Sequence, residues 1–142
     1  MRKIIIPPLF FVMLLGWSGC SITKHLSYTV SIVNTGSELI WVDAFKISDG
    51  ENSTFGAGSV NPYSTTSVSP FYQKPFKQIQ IGWSLENSAE RKQNQVALDL
   101  PKEFTKKWGR YIDFYIYPKE NRIEVVYKVV DSATGQLRSI RK

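Results

Sequence analysis

Carboxylates, one histidine, one cysteine and a glycine pair are the groups in this 142-residue chain that could carry chemistry. Two acids can share acid and base roles when their carboxyls stand about 5 to 9 Å apart. Asp43 and Asp113, each among apolar residues of a predicted strand, are the pair that could do so. Each also has bases at hand as ion-pair partners, among them Lys46, Lys128 and Arg110, and the expectation is that they serve structure. His25 is the one histidine, and without it no Ser-His-Asp triad can be built. It precedes the first predicted strand, where nothing holds it against a nucleophile or a metal. Ser21-Ile-Thr-Lys24 has Ser-x-x-Lys spacing but none of the companion motifs that make such a serine reactive. Gly56-Ala-Gly58 lacks the third glycine and the Gly-Lys-Ser/Thr ending of a phosphate loop, so it reads as a loop that needs positive φ. A single Cys excludes an intramolecular disulfide, and with a single His it excludes a Cys/His zinc site. The expectation is a protein that is not an enzyme and needs neither cofactor nor metal.

Binding chemistry is better represented. The chain has four Trp, seven Tyr and eight Phe. Along 110–117, Tyr111, Tyr115 and Tyr117 alternate with Ile112, Phe114 and Ile116, and Asp113 falls within the tyrosine row. Tyrosines around a carboxylate suit a protein or glycan contact surface, unless a loop such as 71–76 covers them. Tyr111, Asp113, Tyr115 and Tyr117 are therefore the candidate binding surface.

The elements that must position these residues are strands. Tyr28, Val30 and Ile32 alternate with Thr29 and Ser31, the period of a half-buried strand, and Asn34-Thr-Gly-Ser37 is a turn signal. Segment 38–47 is apolar on both faces, with Leu39, Trp41, Phe45 and Ile47 on one and Ile40, Val42 and Ala44 on the other, as in a central or doubly covered strand. Segment 63–69, bounded by Pro62 and Pro70, suits an edge strand. Strands are also predicted over 76–83 and 95–100, with a polar tip over 85–92. A short helix is predicted over 101–109, where Phe104 and Trp108 share a face between Pro101 and Gly109. The firmest hairpin joins 110–117 to 122–130. Residues 131–142 form a basic C-terminal tail that frays or adds a short edge strand over 136–140.

Seven strands with no repeat and no βαβ alternation predict an all-β domain over 28–130, an antiparallel β-sandwich of immunoglobulin-like or transthyretin-like build. On that reading Trp41→Ala or Phe114→Ala costs about 3 to 5 kcal/mol.

The first residues are an address. Met1, Arg2 and Lys3 precede an apolar run from Ile4 to Leu15 and then small residues, the order of a secretory signal peptide. The run is short of the about 20 residues of a spanning helix and contains Pro7 and Pro8. Ser18-Gly19-Cys20 resembles the lipobox of bacterial lipoproteins, with Trp17 where that family usually has an aliphatic residue. The resemblance implies a signal peptide over 1–19, lipidation of Cys20, a tether over 20–27, and anchoring in the bacterial envelope. Ser21 after the cysteine points to the outer membrane, with the domain facing the periplasm.

Loss of Arg2 and Lys3 with the signal takes the net charge from +6 to +4. The adjacent basic pairs are far apart in sequence, which excludes a dedicated nucleic-acid face. The expected partners are the membrane, through the N-terminal lipid, and a periplasmic protein, as for secretion-accessory, inhibitor or immunity lipoproteins. An envelope glycan bound on the aromatic face is the alternative, and a cryptic hydrolase the remote third.

Overall fold

A computed structural model describes residues 27–47, 54–55, 57–71, 77–106 and 109–140 and, within them, all side chains but those of 43–47, 54–55 and 68–71. The described residues form ten strands and one short helix: β1 (Tyr28–Asn34), β2 (Ile40–Ile47), β3 (Thr54–Phe55), β4 (Gly58–Val60), β5 (Thr65–Phe71), β6 (Gln78–Leu85), β7 (Arg91–Ala97), α1 (Lys102–Lys106), β8 (Arg110–Tyr117), β9 (Arg122–Val130) and β10 (Leu137–Ile140). One sheet runs β10-β9-β8-β1-β5; the other runs β3-β2-β6-β7, with β4 also paired to β2. The two sheets enclose a single core in a sandwich-like arrangement.

The larger sheet is mixed, which corrects the expected all-antiparallel arrangement. β1 and β8 lie parallel, Tyr28 opposite Arg110 and Asn34 opposite Ile116, while every other pairing is antiparallel. Alternation fixes which face of a strand is buried and is silent on strand direction, so the apolar pattern was correct and the orientation was not. Val30 and Ile32 on β1, with Ile112, Phe114 and Ile116 on β8, are fully buried. Facing them from the other sheet are Ile40, Val42, Ile79, Ile81 and Trp83.

β2 explains why its sequence is apolar on both faces. Its register against β6 slips between Val42 and Ala44, a bulge that reverses which residues face inward. Before it, Ile40 and Val42 are buried; after it, Phe45 and Ile47 stand opposite the buried Ile81 and Ile79. β2 lies inside its sheet, between β3 and β6. Trp41, expected in the core, lies on the outward face and is 46% exposed.

β5 forms one edge of its sheet, as its prolines predict, and β10 forms the other. The C-terminal segment thus adds an edge strand. α1 covers the end of the sandwich where β1 begins. Phe104 is buried and meets Tyr127 edge to face at 5.7 Å. Arg110 donates to the carbonyls of Phe104 (2.7 Å) and Ser27 (3.2 Å), which fixes the helix and the incoming chain together. Trp108 lies outside the described residues.

Candidate functional site

The tyrosine row occupies the outward face of β8, but its members have different surroundings. Asp113 is only 6% exposed. Its Oδ2 lies 2.5 Å from Lys128 Nζ, and the same ammonium donates to the Tyr115 hydroxyl at 3.1 Å. Burial pushes the Lys128 pKa down, but the bonds to Asp113 and Tyr115 outweigh it and the net shift is upward. Lys128, one of the bases expected beside a strand acid, therefore stays charged and neutralises Asp113. A buried carboxylate held this way is a structural ion pair and not part of an exposed contact surface, which corrects the assignment of Asp113. Asp113 also faces away from the sheet that contains Asp43, so the core separates the strands that carry the two acids. Asp43 sits in β2 at the bulge, and its side chain is outside the described ones.

Tyr111 lines a recess of about 300 Å³ where β1 begins, together with Ser27, Tyr28 and Arg110. Tyr117, at the opposite end of β8, is the member that reaches a second surface feature. Its hydroxyl donates to Glu124 Oε2 at 3.3 Å, and the Arg122 guanidinium stacks 3.9 Å from its ring centroid. Arg122 in turn binds Glu120 at 2.9 Å and Glu124 at 3.1 Å, and these bonds, that to Glu120 first, raise its pKa.

That feature is a cleft of about 190 Å³. Its walls are the turn Thr35-Gly36-Ser37, the side chain of Tyr63, and Tyr117 with the 3₁₀ turn Pro118–Glu120. The buried Asn34 organises it. Its Nδ2 lies 2.7 Å from the Glu38 carbonyl, 3.2 Å from that of Val60 and 3.1 Å from that of Asn61, and its Oδ1 accepts from the Gly36 amide at 2.9 Å. One side chain thus ties the turn after β1 to the loop before β5. The Thr35 amide and hydroxyl both donate to the Ile116 carbonyl, at 3.1 and 2.8 Å, which attaches the turn to β8. A Cβ on Gly36 would lie 2.9 Å from Pro118 Cγ, so only glycine lets the turn approach the opposite wall this closely.

Tyr63 is the unusual residue of the cleft. Its φ is 50°, a left-handed conformation that costs a bulky L-residue about 1 to 3 kcal/mol. Its ring is 75% exposed, and its amide donates to the Gly36 carbonyl at 3.1 Å. Strained backbone that displays an aromatic ring to solvent contributes nothing to the core. Such residues concentrate at binding sites.

Tyr63, Pro118 and Asn34 were not among the sequence candidates. Asn34 marked a turn and Pro62 a strand boundary, but nothing in the local pattern brings residues 36, 63 and 118 together. Cys20 and His25 lie outside the described residues. Among the described residues, no group of three or more His, Cys, Asp or Glu gathers as for a metal ion.

No family model and no curated protein matches the chain. Among solved structures it is similar to a protein from Eubacterium rectale determined by NMR, at 10% identity and a TM-score of 0.47, over 75% of this chain and 92% of that one.

Proposed function

We propose that this chain is a lipid-anchored, non-catalytic binding module of the bacterial envelope that captures a protein partner at the Tyr63–Tyr117 cleft. The exposed Tyr63 ring, held in left-handed backbone beside Tyr117 and Pro118, carries the reading. Cleft size supports a protein partner. Sites for small molecules span about 300 to 1,000 Å³, whereas about 190 Å³ suits one anchoring side chain. Aromatic residues at the centre and charged residues at the margin, here Lys119, Glu120, Arg122 and Glu124, are the composition of a protein-binding hot spot. The sandwich serves as an immunoglobulin-like scaffold in use, a rigid pair of sheets with its binding residues on loops at one end.

Anchoring rests on Ser18-Gly19-Cys20. Two or more acyl chains at Cys20 would hold the domain on the membrane stably, and Ser21 favours the outer membrane. β1 begins at the tether, and its seven residues end at Asn34. At 3.2 to 3.4 Å per residue it spans roughly 20 Å, which separates the cleft from the end of the domain that the proposed tether joins.

A photo-crosslinking residue at position 63 in the full chain, expressed in its native envelope, tests the assignment. The expected result is one dominant adduct that disappears in a Tyr117→Ala background and is absent when the crosslinker is moved to Leu137. Equal adducts from positions 63 and 137 would refute it. Cys20→Ser should move the chain from the membrane to the soluble envelope fraction, and retention in the membrane would refute the anchor.

A further inference from the structure

Sheet edges invite pairing with another chain unless short strands, prolines or bulges blunt them. Among the described strands, β5 carries Pro70 at one edge of the larger sheet, and β10 at the other has four residues. One edge of the smaller sheet is made of β3 and β4, two and three residues long. β7, at its other edge, is different. It has seven residues, Arg91-Lys-Gln-Asn-Gln-Val-Ala97, without proline, and its register against β6 runs unbroken from Arg91 opposite Ser84 to Ala97 opposite Gln78. Asn94, its middle residue, accepts from Trp83 Nε1 at 3.0 Å and donates to the Asn121 carbonyl at 3.2 Å, so the strand is ordered before anything pairs with it.

The ladder decides which backbone groups this edge presents. The Leu98 amide donates to the Lys77 carbonyl at 2.7 Å, so every second residue back from Leu98, that is Val96, Asn94 and Lys92, bonds to β6. The N–H and C=O of Gln93 and Gln95 point the other way, where among the described residues no strand meets them. A two-fold axis at Asn94 sets Gln93 of one copy opposite Gln95 of a second, twice, with these groups facing each other. The side chains match in the same register. Gln80 donates to Gln93 Oε1 at 3.1 Å, and Gln95 Nε2 donates to Gln78 at 3.0 Å. Gln93 thus offers its Nε2 donors and Gln95 its Oε1 acceptor across the axis. No like charges meet: Lys92, paired with Glu90 in its own chain, stands opposite Val96 of the second copy, and Arg91 opposite Ala97.

We infer that β7 pairs antiparallel with β7 of a second copy of this chain, centred on Asn94, and joins the smaller sheets of the two copies into one. The pairing requires neither the cleft nor the lipid anchor.

The test uses full chains with Cys20→Ser, so that an introduced cysteine is the only one. They are solubilised with detergent micelles in excess and oxidised in a glutathione buffer at about 0.2 mM, where even a complex with a Kd near about 1 mM is populated enough to trap. Differently tagged Gln93→Cys and Gln95→Cys chains should form a mixed disulfide at least about tenfold more than Gln93→Cys chains form with one another. The first pair stands about 5.5 Å apart at Cα, the second on a diagonal of about 7 to 8 Å, beyond disulfide reach. The outer pair, Arg91→Cys with Ala97→Cys, should also be joined. Its yield should fall at least about tenfold when Gln93 and Gln95 of both chains become Lys, and recover when one chain carries Lys and the other Glu at both positions, since like charges directly opposite hinder pairing and unlike charges favour it. All four substituted positions are exposed, so these changes leave the core intact. Equal yields from the two glutamine mixtures, an outer-pair disulfide unmoved by the lysines, or no disulfide in any mixture overturns the inference.

Discussion

Replacement of Asn34 by alanine tests the view that one buried amide builds the cleft. Three carbonyls and one amide surround its side chain at 2.7 to 3.2 Å. Two N–H donors serve the three carbonyls, so the residue is worth about three full bonds. At about 0.5 to 1.5 kcal/mol each, Asn34→Ala should cost about 2 to 4 kcal/mol, against a total of about 5 to 15 kcal/mol for a domain of this size. Urea unfolding followed by tryptophan fluorescence reads the loss directly, with an unchanged m-value. Amide exchange reads the cleft. Gly36 N–H loses its acceptor, and Tyr63 N–H, bonded to the Gly36 carbonyl, should lose protection with it, while core amides change only by the global amount. Asn34→Asp keeps the shape but turns a donor into an anion among carbonyls. Its carboxyl pKa in the folded state should lie above the ordinary value of about 3.9, so stability is lost as pH rises through that raised value and recovered on acidification. A loss under about 1 kcal/mol for Asn34→Ala, or unchanged exchange at Gly36 and Tyr63, would refute the argument.

Three further outcomes follow from the packing. Trp41→Ala should cost less than about 1 kcal/mol because the side chain is half exposed, whereas Trp83→Ala, buried and bonded to Asn94 at 3.0 Å, should cost about 3 to 5 kcal/mol in the same unfolding assay. Burial pushes the Tyr28 phenol up to about 12, and burial likewise raises Tyr127. The unfolded chain therefore ionises first, and stability present below pH 10 falls between about pH 10 and 12, by about 2 to 3 kcal/mol for Tyr28; Tyr28→Phe should flatten this alkaline limb in urea midpoints taken across that window. Gly109 has φ +62°, and a Cβ there would lie 2.5 Å from Val130 Cγ2. Gly109→Ala should cost about 2 to 4 kcal/mol from backbone strain and overlap, and Val130→Ala in that background should relieve the overlap while the strain remains.

The sequence was informative wherever one strand's own alternation decides burial. Ile112, Phe114 and Ile116, which alternate with the tyrosines of 110–117, are buried. The 110–130 hairpin has its predicted bounds, because a proline-bearing turn between two apolar runs leaves little freedom of register. Errors arose where the pattern depends on a partner strand. A bulge at Asp43 reads in one dimension as two apolar faces, and only the register of β6 shows that the inward side changes part-way. Asp113 read as exposed because it alternates with core residues. Its burial comes from Lys128 on the neighbouring strand, and no spacing rule pairs residues 113 and 128 until the hairpin register is known.

The direction of one strand pair decides whether a cleft exists at all. Had β8 run antiparallel to β1, its last residue would lie beside Tyr28, and Tyr117 and Pro118 would stand at the Ser27 end. The parallel pairing places Ile116 beside Asn34, so the turn after β8 emerges where the turn after β1 does, and Thr35 fastens the two through the Ile116 carbonyl. Asn34 then draws in the loop that bears Tyr63, and Gly36 lets that turn close against Pro118. Three segments far apart in sequence meet at the end of the sheet remote from Ser27. The recess beside Tyr111 lies at the Ser27 end of the larger sheet, and the cleft beside Tyr63 at the other.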